Sequence, residues 1–490
     1  MDLNRREFLK GALAASAAAA FPAVWLRAQE AAALEACEQG LNLVIVQLDG
    51  GNDGINTVIP LSDGTGSNRT VYDTVRPYLR IPVSELAATQ IDNDPLHNGE
   101  LALHPHMNRL KALYDQGNVA VILGTHYDNG NLSHDVSNLI WYRADPTLSN
   151  VPGGWVGRTM DQLCLGQPNA VPAVDVNSKL SPMFFGRTST LALQRTRDLT
   201  LPTPYVLIPP DMATEREQFR QTMAGVYQQL TGASGFAGAW ARSGHSVLSR
   251  MDDYRTASAS GALNLTALLD GAAGHPIAAP TPQRYGLAYA LRLVFALMRG
   301  KQPGNQPLGC RIFRVGIGGF DTHSDQGGHI PLSQKPLHQK VEENFPGELH
   351  GQLLHRVDKA IAAFWADLQS VNLHKNTLIM TFTEFGRRIA ENGDHNADSG
   401  TDHGTASPMF VIGPNKWEVE PNSPFVAGGV YGAYPELHLP DRNGNMVHQL
   451  DFRHVYGEVM HRWLGLSIAS TNSILGTGGF AYMPLHFLEV

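Results

Sequence analysis

Five short apolar runs, most of them cut off by glycine and by acidic or histidine residues, set the pattern of this chain. Leu41-Asn-Leu-Val-Ile-Val-Gln-Leu48 stops at Asp49-Gly50-Gly51-Asn52-Asp53-Gly54. Asn118 to Leu123 runs into Gly124-Thr-His-Tyr-Asp128 and then Leu132-Ser133-His134-Asp135. Arg311 to Ile317 leads to Gly318-Gly319-Phe320-Asp321-Thr322-His323, and Thr377 to Phe382 leads to Thr383-Glu384-Phe385-Gly386-Arg387. The fifth run, Pro408 to Ile412, follows Gly400-Thr401-Asp402-His403-Gly404. Continuous β-branched runs bounded by glycine predict strands buried on both faces, hence a parallel sheet.

Between the third and fourth runs, Leu349, Leu353, Leu354, Val357, Ile361, Phe364, Trp365 and Leu368 recur at helical spacing over residues 346–369. Strand, helix and strand in that order predict a right-handed βαβ crossover with parallel strands. Asp451 opens a final predicted helix through Phe452, Val455, Val459 and Trp463. Residues 213–300 read as largely helical, with a polar Ala/Ser/Gly break near 256–262, and form either an inserted cap or extra helices on one face. The expected fold class is α/β: a doubly wound, mainly parallel sheet flanked by helices, in one domain over residues 41–490 with a helical insertion around 213–300.

In an open parallel sheet, ligands bind beyond the carboxyl ends of the strands. Four runs end in side chains that bind metals or move protons, and the fifth is preceded by Asp402 and His403. Asp49 is a carboxylate at a strand tip with unobstructing glycines behind it; Asp53, with Asn52 nearby, either supports the same site or caps its own loop. Asp321 and His323 stand two apart, which in extended chain puts both on one face, able to share an ion. Glu384 ends a buried strand and must meet a cation, either a metal or Arg387. His403 with Asp402 offers a ligand and its supporting carboxylate.

Ser133 precedes a predicted helix from His134 to Tyr142. It is placed either to cap that helix or to act as a nucleophile where free N–H groups favour an anion, and the two roles are compatible. His134 is its reactive neighbour. His104-Pro105-His106 reads as a turn leading into a helix. Asp394, Asn396 and Asp398 alternate as in a calcium loop but lack the glycine and distal glutamate at the required spacing.

Composition and the chain start narrow the class. With 43% hydrophobic and 17% charged residues among 490, there is ample material for a large core. No basic run or aromatic-basic interleaving is present, which excludes a nucleic-acid binder of the usual kind. Arg5 and Arg6 stand in Asn-Arg-Arg-Glu-Phe-Leu-Lys, and no charge occurs from Gly11 to Leu26. This is a twin-arginine export signal, with cleavage expected after Ala28. Its apolar stretch is too short and mild for a stable span, so no stable membrane span is expected after cleavage. Residues 1–28 carry four basic and two acidic side chains, so their removal moves the net charge from −8 to −10. The partner implied is the export machinery, and the destination is the periplasm or the medium. Cys37, Cys164 and Cys310 allow one disulfide of unassigned pairing.

Gly50-Gly-Asn-Asp-Gly-Ile-Asn-Thr57, Phe320-Asp-Thr-His323, Thr383-Glu-Phe-Gly-Arg387, Gly400-Thr-Asp-His-Gly404 and Gly428-Gly-Val-Tyr-Gly432 occur in that order. Together they resemble the exported bacterial proteins grouped as domain of unknown function 1501, over roughly residues 41–466. That family is similar in turn to the alkaline phosphatase and sulfatase superfamily, whose sheet edge binds metal and cleaves phosphate or sulfate esters. The resemblance implies metal ligands at Asp49, Asp321, His323, Glu384 and His403, a divalent ion (Zn, Ca, Mg or Mn), and Ser133 as nucleophile. It implies an anionic small-molecule or glycan substrate. Phe385 stands where the superfamily has a histidine, and Leu132 where the family commonly has arginine. Two functions follow from this reading: a metal-dependent ester hydrolase, or a secreted binding or assembly protein that keeps the fold without turnover.

Overall fold

The computed structural model describes residues 40–149, 151–164, 173–177, 180–188, 190–192, 213–230, 241, 245, 264–265, 286–300, 311–327, 349–396 and 398–490. The signal segment with its cleavage point, Cys37, Cys310 and the break near 256–262 lie outside these residues. Among the described residues no helix is long and apolar enough to cross a membrane.

Among the described residues, nine strands build the main sheet: β1 (Asn42–Asp49), β2 (Val119–His126), β3 (Ala173–Asp175), β4 (Thr190–Ala192), β5 (Ile312–Gly318), β6 (Thr377–Phe382), β7 (Ser407–Ile412), β8 (Gly429–Tyr431) and β9 (Leu450–Asp451). Their order is β8-β2-β7-β6-β1-β5-β3-β4, with β9 also pairing to β2. The helices are α1 (Asn68–Val75), α2 (Asn108–Asp115), α3 (His134–Arg143), α4 (Trp155–Leu163), α5 (Ala213–Leu230), α6 (Gly286–Arg299), α7 (Leu349–Ser370), α8 (Phe452–Glu458) and α9 (Ile468–Leu475). The described parts of 213–300 are therefore helical as read from sequence.

The side-chain period of two in β1 explains why both faces are covered. Val44, Val46 and Leu48 join one buried cluster with Leu110 of α2, Leu291 of α6 and Ile361 of α7. Leu43 and Ile45 join the other with Trp141 of α3, Met160 of α4 and Tyr456 of α8. Burial of each such side chain contributes about 1.5–3 kcal/mol. Gln47 and Asp49 continue the second parity, so polar groups appear on the α3 side just as the strand reaches its carboxyl end.

β1 lies between β5 and β6 and is parallel to both, so the strands joined through α7 are parallel to each other, as read from sequence, but not adjacent. The fifth run differs from expectation: β7 is antiparallel to both β2 and β6. This reversal accounts for Asp402 and His403 standing before their strand rather than after it, since the start of β7 lies at the carboxyl ends of its neighbours. β2 also continues past Leu123, where a stop is expected, because β9 pairs with Thr125 and His126. The helix opened by Asp451, whose carboxylate accepts from the Arg453 N–H, runs on through a π-helical turn at Val459–Trp463. It is followed by α9, so it is not the last. Cys164 is disulfide-bonded, which the three cysteines allowed but did not require.

His126 ends β2 fully buried, with neither ring nitrogen hydrogen-bonded. Burial, helped by neighbouring His448, lowers it from its ordinary 6.5 to about 3. The unfolded chain therefore binds the extra proton below pH 6.5 while the folded chain refuses it down to about 3. Stability is lost as pH falls through that window. At pH 5 this one ring costs about 2 kcal/mol. We predict that His126→Leu narrows the stability gap between pH 7.5 and pH 5 by about that amount in urea unfolding. An unchanged gap would show the ring to be solvated.

Candidate metal centre

The loops leaving β1, β5 and β6 and the loop entering β7 meet at one end of the sheet. Gly50, at φ +120°, passes so close beneath the β5 loop that a Cβ there would lie 2.4 Å from the Asp321 nitrogen. Only glycine fits such an approach. Arg387, fully buried, ties the loops together. Its Nε donates to the Gly51 carbonyl at 2.8 Å, Nη1 to Thr401 at 2.9 Å, and Nη2 to Phe320 at 2.8 Å and to Gly50. Nη2 also reaches Asp321 Oδ1 at 2.7 Å. Gly386–Arg387 pairs in antiparallel fashion with His403–Gly404, which sets His403 opposite Arg387.

Three imidazoles surround Asp321. His403 Nε2 lies 2.9 Å and His323 Nε2 3.1 Å from Asp321 Oδ1, and the two nitrogens are 3.0 Å apart. His134 Nε2 approaches the other oxygen, Oδ2, at 3.4 Å. Ligand atoms of His134, Asp321 and His403 all lie within 4.8 Å of one another. Each ring is anchored at its far nitrogen. His403 Nδ1 donates to the Leu132 carbonyl at 2.8 Å, and its Nε2 faces Asp321 Oδ1. His134 Nδ1 meets Glu384 Oε1 at 2.8 Å, and His323 Nδ1 is 3.5 Å from Asp402 Oδ1. Phe385, buried, packs its ring 4.9 Å from His134 and 4.5 Å from His403 and walls off one side.

The electrostatics follow from these contacts. Burial raises the Asp321 carboxyl, but hydrogen bonds from Arg387 and His403 outweigh it and hold the group at about 2. Burial pushes Glu384 up; His134 opposes this, and the charge of Asp49 adds to it. Burial likewise pulls His403 down, with the bonds to Asp321 and Leu132 acting the other way.

Of the residues named from sequence, Asp321, His323 and His403 are in mutual contact, with Asp402 behind His323. Glu384, expected to meet a metal or Arg387, has the His134 ring as its partner; Arg387 goes to Asp321 instead. Asp49, exposed at the tip of β1, accepts from Gln47 Nε2 at 3.2 Å and lies outside the group of three. Asp53 caps its own loop through the Ile55 and Asn56 N–H groups and forms a fully buried ion pair with Arg76 at 2.5 Å. Asn52 braces the β1 loop, its N–H donating to Thr383 Oγ1 at 3.0 Å and its Oδ1 accepting from Thr57 Oγ1 at 3.1 Å. Ser133 occupies the N-cap position of α3 in extended conformation but makes no side-chain capping bond, and it is exposed. Phe385 and Leu132 showed in the sequence only as departures from related patterns, not as the wall and the anchoring carbonyl that they form. His104 and His106 form the expected turn before α2, beside His350 and His355, and residues 394–396 and 398 lie outside helix and strand.

The family described as "Protein of unknown function (DUF1501)" matches residues 306–454, a stretch that contains Asp321, His323, Glu384, Arg387 and His403. The twin-arginine translocation signal matches residues 2–22. No curated protein matches the sequence. Among solved structures, the chain is similar to a glycosaminoglycan-metabolism protein of Bacteroides thetaiotaomicron at 10% identity, covering 89% of this chain and 75% of that one, with a TM-score of 0.35. It is similar to Ps i-CgsB bound to k-i-k-neocarrahexaose at 10% identity over 89% and 74%, TM-score 0.33. A sulfatase from Pseudoalteromonas sp. follows at 11% over 93% and 77%, TM-score 0.30. Likeness at this level says nothing about chemistry. Residues 306–454 match that family behind a twin-arginine signal, and the chain is a protein exported to the periplasm or beyond.

Proposed function

We propose that the exported chain is a metal-dependent hydrolase of phosphate or sulfate esters. The observation that carries this reading is the triangle of Asp321 Oδ1, His323 Nε2 and His403 Nε2, with sides of 3.1, 2.9 and 3.0 Å. A carboxylate and two imidazole nitrogens converging at that spacing form a donor set that a cation can occupy. The spacing suits a small divalent ion with bonds of about 2.0–2.2 Å. When bound, such an ion supplies charge stabilisation for non-bridging oxygens and lowers the pKa of an adjacent hydroxyl.

The chain's own groups do the rest. Arg387 fixes the carboxylate of Asp321, and Phe385 excludes water from one flank. Ser133 Oγ, uncommitted to capping, gives its proton to water and forms the bond to phosphorus or sulfur as the bond to the leaving oxygen breaks. The departing alkoxide takes its proton from water, and a second water later cleaves the serine ester. The free N–H groups of α3 favour the anionic substrate beside Ser133. The rival reading, a secreted binding protein, draws on Phe385, whose ring occupies space beside two of the imidazoles.

A panel of aryl phosphate mono- and diesters and aryl sulfates separates the two. Hydrolysis that needs metal, and that falls at least about 10³-fold in Ser133→Ala with metal content unchanged, is the expected result. Absence of cleavage by metal-loaded protein across the panel would transfer the assignment to the binding protein.

A further inference from the structure

We infer that His134 is a third imidazole ligand of this centre, held by Glu384, and that the centre therefore selects a late first-row transition ion over calcium or magnesium. The inference rests on the metal reading above and specifies its donor set. All three histidines share one arrangement: Nδ1 is engaged on the outer side and Nε2 points at Asp321. For His134 the outer partner is a carboxylate with no solvent exposure, reached at 2.8 Å. A carboxylate behind an imidazole fixes the ring and raises its basicity toward a metal. Glu384 is itself held from the other side by the Gly50 N–H at 2.9 Å, and its Oε2 accepts from Thr383 Oγ1 at 3.3 Å. It has no freedom to swing inward and bind an ion directly. Its role is to position His134.

The donor set is then three nitrogens and the carboxylate of Asp321. Calcium takes six to eight oxygens at about 2.3–2.6 Å, and magnesium keeps several waters on one or two carboxylates. Imidazole-rich sets suit zinc, iron, nickel or copper. The contacts of 2.9 to 3.1 Å around Asp321 Oδ1 accept the shorter bonds of these ions, and the nitrogen-rich donor type is what disfavours calcium.

Elemental analysis of the full exported chain as isolated tests the choice of ion. Titration of chelator-stripped protein with calcium and magnesium follows, up to the order of 1 mM, where weak calcium sites still fill. The expected result is a transition ion near one per chain and no calorimetric or thermal response to calcium or magnesium. Stoichiometric calcium or magnesium overturns this inference while leaving a metal-dependent hydrolase intact; no ion of any kind overturns both. For the role of Glu384, cobalt(II) is added to stripped wild-type, Glu384→Gln and His134→Asn proteins, and the visible absorption and affinity are read. The spectrum should change in both variants, with affinity down about 10–100-fold in Glu384→Gln. An unchanged cobalt spectrum in His134→Asn removes His134 from the donor set.

Discussion

Arg387→Ala is expected to abolish the native fold rather than merely weaken activity. The guanidinium is fully buried and donates to four backbone carbonyls, those of Gly50, Gly51, Phe320 and Thr401, as well as to Asp321. Each buried acceptor left without a partner costs about 1–3 kcal/mol. Several at once exhaust the 5–15 kcal/mol of stability that a typical domain possesses. Lysine cannot substitute, because an ammonium carries three donors and no planar fork to span loops from three parts of the chain. Expression trials followed by calorimetric melting check this. A soluble alanine variant melting within about 3 °C of the parent would show that the loops are held by something else.

Asp321→Asn should do the opposite: keep the fold and lose the ion. An asparagine oxygen still accepts from Arg387, so the loops stay tied. The negative charge that attracts the cation is gone. Metal affinity is expected to fall at least about 100-fold, and the content of isolated protein to drop from near one ion per chain to a trace. Melting of the metal-free form should change little. Full metal occupancy in Asp321→Asn would dismiss the centre described here. Asp49→Ala is the matching comparison, since Asp49 stands at the tip of β1 with Gln47 as partner; loss of the ion there would add Asp49 to the donor set.

The sheet edge was legible because glycine-bounded apolar runs advertise buried strands and because residues after such strands have nowhere else to go. The Asp321 and His323 pair was legible for a local reason, its spacing of two. What was not legible required strand direction or long-range pairing. Ser407–Ile412 reads the same whichever way it runs, so the antiparallel β7, which delivers His403 from upstream, left no mark in the pattern. Glu384 announced that it needed a cation but not which one. His134 is 250 residues away in sequence, and Arg387, the nearer candidate, is drawn off by Asp321 and four carbonyls. Phe385 showed only as a departure from a related pattern, with its packing against two rings hidden.

The reversed strand also has a consequence for biosynthetic timing. Because His403 reaches the centre only as β7 inserts between β2 and β6, the donor set cannot close until the ribosome has passed residue 412 and that hairpin-like insertion is complete. A twin-arginine substrate crosses the membrane after folding, so closure belongs to the cytoplasm. Any ion captured at that moment is drawn from the tightly buffered pool inside the cell. The metal carried by the exported protein should accordingly record intracellular supply, and enriching the growth medium in a competing ion should alter it little.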